Sequence, residues 1–244
     1  MAGRSAALLL IGNELLGGKI HDTNMPALAT ALRGLGIPLV RAVVVPDDRA
    51  TIAAEVNALR AAHEVVFTSG GVGPTHDDVT LAAVADAFGV AMTSSPALEQ
   101  LVRAHFGPRT SEGHLAMARV PATTELRSAP GSDWPALVVG NVWVLPGLPE
   151  AFVDKLSIVT HHLTASAPIV SRAVYTFLDE GTLKPHLDAT VAEFPDVDIG
   201  SYPTWSDPSY HVKLTFDGSD PARLAAALAA LVARLPADAV VRVD

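Results

Sequence analysis

The run Thr68-Ser69-Gly70-Gly71-Val72-Gly73-Pro74-Thr75-His76-Asp77-Asp78-Val79-Thr80 combines residue types that handle phosphate. It lies between an apolar stretch that reads as a strand and an amphipathic stretch that reads as a helix. Glycines at the carboxyl end of a strand let a ligand approach the backbone closely. The helix start beyond them offers unpaired N–H groups and the positive end of a dipole, which together suit an oxyanion. Asp77 and Asp78 would stand beside that phosphate, and paired carboxylates there call for Mg²⁺ or a similar cation between them. The alternative is that one Asp caps the helix and the glycines only make a turn. The loop lacks the Gly-Lys-Ser/Thr of a Walker motif and the Gly-x-Gly-x-x-Gly of dinucleotide folds.

Two further loops fall at the same sheet edge. Gly12-Asn13-Glu14 opens the segment after the first strand, and Pro46-Asp47-Asp48 follows the second. Glu14, Asp47, Asp77 and Asp78 are therefore expected to converge on the glycine loop, although Asp47 or Asp48 could cap a helix and Glu14 could be a solvated acid. His76 interrupts the loop and could touch a ligand or titrate near neutrality. No His-x-x-x-His pair and no Gly-x-Ser-x-Gly occurs, which argues against a zinc hydrolase and a serine hydrolase. His161-His162, near the domain junction, reads as a pair of solvated side chains and not as a site. Tyr202 and Trp205 either stack on a ring or pack an interdomain face.

The elements that must position these loops are legible as alternation. Ala6–Ile11, Leu39–Val45 and Val65–Thr68 are continuous apolar runs, the signature of strands buried on both faces. Met25–Leu35, Arg49–Ala62 and Asp78–Phe88 read as helices between and after them, and a further helix starts at Ser95-Pro96. This is the order of a parallel sheet covered by helices. Residues 108–135 read as a long functional loop with small elements. Leu137–Val139 and Val142–Leu145 flank a Gly140-Asn141 hairpin turn, and a helix runs from Glu150 to about His162. After a linker at Ala165–Pro168 the order becomes strand (Arg172–Phe177), helix (Leu183–Phe194), strands (Val197–Tyr202 and Tyr210–Phe216), helix (Pro221–Leu235) and strand (Ala239–Val243), the split β-α-β-β-α-β pattern of ferredoxin-like domains. Two domains follow, 1–165 and 170–244. The alanine-rich stretch Ala222–Arg234 is a packing helix, too short to span a membrane.

Composition narrows the function. The 244 residues carry 17 Lys and Arg against 26 Asp and Glu, a net charge of −9, and no basic run, which counts against a nucleic-acid partner. The absence of cysteine excludes disulfides, thiolate zinc sites and iron–sulfur clusters. The apolar run near the N-terminus ends without a small-x-small cleavage pattern, so it reads as a first strand of a cytoplasmic protein with no membrane segment.

Taken together, Ile11-Gly12-Asn13-Glu14-Leu15-Leu16-Gly17-Gly18-Lys19-Ile20, Asp22-Thr23-Asn24, the Gly70–Thr80 segment and Leu145-Pro146-Gly147-Leu148-Pro149-Glu150 resemble the N-terminal part of the CinA family. The same module is similar to the molybdopterin-binding domain fused to some FAD synthases and, more distantly, to MogA and MoaB. The tail around Val197–Pro203 resembles that family's small α+β domain, more weakly.

The resemblance implies a three-layer α/β fold with a mostly parallel sheet and helices on both faces, followed by a small ferredoxin- or KH-like α+β domain. It implies a homo-oligomer, dimer or trimer, and a small-molecule partner that is a nucleotide or a pterin phosphate. The activity it implies is a metal-dependent pyrophosphatase acting on ADP-ribose- or FAD-type dinucleotides. Glu14, Asp47 and Asp78 would be catalytic, and Asp47, Asp77 and Asp78 would hold the metal (Mg²⁺, with Mn²⁺ or Co²⁺ as alternatives). Gly12, Asn13, Ser69, Gly70, Gly71, Gly73, Thr75, His76, Pro146 and Gly147 would bind phosphate or nucleotide. A binding module without turnover, or an adenylyltransferase acting on molybdopterin with carboxylates matching Asp47 and Asp78, are the other readings. The chain departs from many relatives in having Asn13 where they have an acid, His76 where they have proline, and Arg127-Ser128 where they have Gly-Thr. No stretch of it resembles the deamidase domain of full-length CinA, so that activity is not expected of these residues.

Overall fold

In the computed structural model, which describes residues 5–163, 167–236 and 238–244, the chain separates into two compact units, Met1–Ser166 and Ala167–Asp244. Residues 165 and 166 of the expected linker lie outside the described residues.

The first strand shows how the larger unit is built. All six residues of β1 (Ala6–Ile11) are buried. Its side chains alternate across the sheet, as a strand requires. Ala7, Leu9 and Ile11 enter one core, while Ala6, Leu8 and Leu10 enter a second core on the opposite face. A short α1 (Asn13–Leu16) and then α2 (Asn24–Gly34) lead to β2 (Leu39–Val45). Next come α3 (Arg49–Ala62), β3 (Val65–Ser69), α4 (Thr80–Phe88), β4 (Met92–Ser94) and α5 (Pro96–Phe106). The segment expected to be mainly loop holds α6 (Glu112–Ala116), β5 (Arg119–Pro121) and β6 (Glu125–Arg127). The unit finishes with β7 (Ala136–Val139), β8 (Val142–Leu145) and α7 (Pro149–His162).

Six strands form one sheet in the order β2-β1-β3-β8-β7-β6. The first four run parallel, and β7 and β6 extend the sheet antiparallel through the Gly140-Asn141 hairpin. β4 and β5 pair separately. Residues of α3 and α4 close one core, and residues of α2 and α7 close the other, giving the three layers that continuous apolar strands demand. In α3, Ile52, Val56 and Leu59 recur at helical spacing and are buried, and Asp48 caps the first turn by accepting from Thr51 N–H.

The second unit comprises β9 (Val170–Thr176), α8 (Glu180–Glu193), β10 (Asp198–Pro203), β11 (Val212–Gly218), α9 (Pro221–Arg234) and β12 (Val240–Val243). Its sheet has the order β10-β11-β9-β12 with every pair antiparallel, the ferredoxin-like arrangement. A separate core of Val174, Leu214, Phe216, Leu224 and Leu231 holds the helices to the sheet. The alanine-rich stretch is α9, and no helix among the described residues is long and apolar enough to cross a membrane.

Two helix starts differ from the expectation by two residues or more. α4 begins at Thr80 rather than Asp78, because Asp78 turns its carboxylate back to Thr75 N–H instead of opening the helix. α8 begins at Glu180, three residues ahead of the expected Leu183. Asp179 caps it by accepting from Thr182 N–H, which places Pro185 inside the helix instead of in its first turn.

Candidate functional site

Three loops meet at the carboxyl edge of the parallel strands, where ligands bind in open α/β sheets. Gly12 N–H donates to Val45 O at 3.1 Å, so β1 and β2 stay joined to their ends. One residue on, Asn13 N–H donates to Asp47 Oδ2 at 2.8 Å. Asp47 therefore sits at the start of α1, its charge offset by a backbone dipole. Glu14 folds its carboxylate back over Gly12, into space that a side chain at position 12 would occupy.

The glycine loop depends on glycine at two positions. Gly70 (φ +112°) and Gly71 (φ +64°) take backbone conformations that other residues rarely adopt. A Cβ on Gly70 would collide with the Ile11 carbonyl, and one on Gly71 with Thr80 Oγ1. Thr80, fully buried, holds the turn: its Oγ1 donates to Gly70 O at 2.8 Å and its N–H to Gly71 O at 3.0 Å. The first helical N–H of α4 is thus consumed inside the loop and not offered to a ligand. Among the described residues, the N–H groups of Val72 and Gly73 have no hydrogen-bond partner. With the N–H groups of Gly71 and His76, which likewise have no partner among the described residues, they are donors open to an acceptor.

The third loop, Pro146-Gly147, presses on the second. A Cβ on Gly147 would lie 3.1 Å from Gly70 Cα. The residue that ties them is Asn24. It is 5% exposed, and its Nδ2 donates to Ser69 Oγ and to Gly147 O, each at 2.9 Å. Ser69 Oγ in turn donates to Pro146 O at 3.3 Å. Helix capping itself falls to Asp22, whose carboxylate accepts from Asn24 and Met25 N–H. The signal available in the sequence was the Asp22-Thr23-Asn24 triplet, where one short polar residue suffices to cap and a second is free to bridge.

Thr75 organises the acids. Its N–H donates to Asp78 Oδ2 at 2.8 Å, and its Oγ1 lies 2.5 Å from both Asp77 Oδ1 and Asp78 Oδ2. One hydroxyl proton serves two carboxylate oxygens, so the acids retain acceptor capacity that a cation would fill. The Thr75 hydroxyl, with backbone N–H and His76 adding to it, holds the Asp77 carboxyl below its usual range. His76 is exposed, its Nδ1 3.9 Å from Asp77 Oδ1. Glycine is again required at 73, where a Cβ would lie 2.7 Å from Asp78 Oδ2.

The structure does not gather Asp47 with Asp77 and Asp78. Among the described residues, no three His, Asp or Glu side chains cluster to hold a metal, since Asp47 is committed to the α1 start and the other two to Thr75. Asp77 and Asp78 remain as a pair. Mg²⁺ is commonly held by one or two carboxylates together with substrate phosphates, so the pair suits it only as part of a ligand complex. A cavity of about 660 Å³ opens beside the loop, with Val72 and Pro146 in its wall.

These features define an α/β protein with a glycine-rich loop and two linked acids at the carboxyl edge of its sheet. More particularly, the chain belongs to the family described as the probable molybdopterin binding domain, whose model matches residues 7–165. Residues 168–244 match the FAD synthase middle domain. The chain is 33% identical over 242 residues to a probable FAD synthase of Caenorhabditis elegans, covering 88% of this chain and 46% of the relative. It is 31% identical over 240 residues to a CinA-like protein of Myxococcus xanthus, covering 92% and 56%. The chain thus spans about half the length of these relatives. Among solved structures, CinA of Thermoplasma acidophilum, of unknown function, aligns with a TM-score of 0.56 at 28% identity, over 61% of this chain and 91% of that one.

Proposed function

We propose that the protein is a metal-dependent hydrolase of a dinucleotide pyrophosphate bond, with an ADP-ribose- or FAD-type substrate. The observation that carries this is the juxtaposition, within one loop, of the free N–H groups of Val72 and Gly73 with the Thr75-linked acids Asp77 and Asp78. Free amides bind phosphate oxygens, and two carboxylates at the same point suit a cation shared with that phosphate. The similarity to FAD synthases and CinA-like proteins supports a nucleotide or pterin phosphate as the ligand.

Within this reading Asp77 and Asp78 would hold Mg²⁺, Mn²⁺ or Co²⁺, which would supply charge neutralisation on the pyrophosphate. The remaining work is the chain's own. The Gly70–Gly73 backbone, fixed by Thr80, holds the phosphate where its amides point. Thr75 positions both acids. Glu14, folded over Gly12 at the neighbouring loop, accepts a proton from the attacking water, and Asp47 fixes the Asn13 backbone beside it.

Chromatographic product analysis with ADP-ribose, FAD, NAD and ATP, each with Mg²⁺, Mn²⁺ or Co²⁺, tests the proposal. Release of AMP that Asp78→Ala abolishes is the expected result, and no turnover with any ion would overturn it. A second reading, a nucleotide- or molybdopterin-binding module without turnover, is favoured by one observation: Asp47 stands apart from the other acids. Tight binding with the ligand recovered intact would select it. Adenylylation of molybdopterin by ATP would instead make the protein an adenylyltransferase.

A further inference from the structure

A second, much smaller cavity of about 50 Å³ lies where the segment after β1 meets the ends of β3 and β8. Glu14, Asp22, Asn24, Ser69 and Gly147 contribute to its lining. That volume is far below the roughly 300–1,000 Å³ of a small-molecule site and above the roughly 10–15 Å³ that one water needs. Donors and acceptors around it are unevenly matched. Asn24 is 5% exposed, and its Oδ1 finds no partner in the protein. The donors beside it are committed, Asn24 Nδ2 to Ser69 Oγ and Gly147 O, and the Ser69 hydroxyl to Pro146 O. Glu14, half-buried, brings a carboxylate to the same lining. A buried acceptor left unmatched is costly, so this wall calls for a small group that donates.

We propose that this cavity seats the water that attacks the pyrophosphate, with Asn24 as its positioning residue. The water donates one hydrogen to Asn24 Oδ1 and the other to the Glu14 carboxylate, which leaves both lone pairs of its oxygen free. A cation is the poorer occupant, because among the described residues no three acids or histidines gather to hold one. Ser69 leads directly into Gly70, and a Cβ on Gly147 would lie 3.1 Å from Gly70 Cα, so the water sits against the loop whose free amides would hold the phosphate. In the step itself the water oxygen bonds to phosphorus and its proton passes to Glu14. The bridging P–O bond breaks, and its electron pair leaves on the departing phosphate. Asn24 takes no part in the proton transfer; it fixes the direction in which the lone pair points. This rests on the hydrolase reading above and gives its nucleophile a seat.

Two measurements on the full chain test it. A crystal structure without nucleotide is expected to show an ordered water within hydrogen-bond reach of both Asn24 Oδ1 and the Glu14 carboxylate. Hydrolysis of ADP-ribose with Mg²⁺ then compares Asn24→Ala with Asn24→Asp. Asn24→Ala removes the acceptor and should lower kcat about a hundredfold with KM within about twofold of the parent. Asn24→Asp keeps an acceptor where Oδ1 stands, and its kcat should stay within about tenfold of the parent, even though its carboxylate is set against Gly147 O. A role confined to holding the loops together would make activity follow stability, with the Asp variant the weaker of the two. That order, or a loss confined to KM, would overturn the proposal. So would the lack of a water at Oδ1, or an anomalous signal there from soaked Rb⁺, and this measurement on the parent decides if neither variant folds. An ordered water in place with no turnover of any dinucleotide, with Mg²⁺, Mn²⁺ or Co²⁺, would instead overturn the hydrolase reading and leave the water site standing.

Discussion

Asn24 shows how much a single side chain can decide at this edge. Its amide joins the end of β3 to the Pro146-Gly147 turn, while its Oδ1 is buried without a partner. The orientation is fixed, because Gly147 O can only accept and Ser69 spends its proton on Pro146 O. Asn24→Ala removes two hydrogen bonds but also relieves the orphan oxygen, so a loss of about 1–2 kcal/mol is expected. Asn24→Asp keeps the shape and sets a carboxylate against Gly147 O, and it should cost more at neutral pH. Urea denaturation of the three proteins checks the order, and a more stable Asp variant would refute the assigned orientation. The residue-level reading of the sequence located a tight loop between a strand and a helix from its glycines, and Gly70 and Gly71 do take backbone conformations that other residues rarely adopt. It missed the Asn24 bridge, because contacts to residues 69 and 147 are set by which strands lie side by side, and no local pattern encodes that. It also expected Asp47 to join Asp77 and Asp78, where local capping by Asn13 and Thr75 captures each acid separately.

At the scale of elements, strands buried on both faces and helices with clear stripes were readable, and α3 falls where its pattern places it. What escaped were β4, β5 and β6, three residues each, too short for any periodicity to register. The start of α8 escaped for a different reason. A proline normally marks the first turn, whereas here the Asp179 cap extends the helix ahead of Pro185. Interior proline costs a helix up to about 3 kcal/mol, so Pro185→Ala should raise the thermal midpoint. A lowered midpoint would show that the proline is accommodated without strain. In the same unit, Arg223 pairs with Asp196 through two hydrogen bonds of 2.8 and 2.6 Å and pulls that carboxyl from 3.8 to about 2. An acid with a depressed folded pKa stabilises the fold above its unfolded value and ceases to do so as pH falls through the folded value. Arg223→Met should therefore melt below the parent at pH 6, and the gap should close between pH 4 and 2. A constant gap across that range would remove this pair as its cause.

At the scale of the molecule, each unit keeps its own sheet and core. Among the described residues, each sheet takes its strands from one unit, and the core of the second unit draws on residues beyond 167. Residues 167–244 alone should fold cooperatively, with a single thermal transition and dispersed amide resonances. A molten fragment would mean that the larger unit supplies stability the separate core does not reveal. The two-part organisation was visible in the sequence because the order of elements changes character near residue 165, a contrast that survives errors in any one boundary.

The placement of β8 has a consequence in time. β3 lies at the centre of its sheet, yet its partner on one side is β8, so Val66 must wait for Val142 and Ser69 for Leu145. During synthesis the chain emerges with β1, β2 and β3 able to pair while one flank of β3 stays open through more than seventy residues of translation. Closing that distance carries the entropic toll of a long loop, which slows the final step of assembly. The glycine loop follows β3 directly and Gly147 follows β8, so the site takes shape only with that last strand. A nascent chain halted before β8 therefore presents a naked sheet flank to the ribosome's surroundings and has no place for a ligand to rescue it.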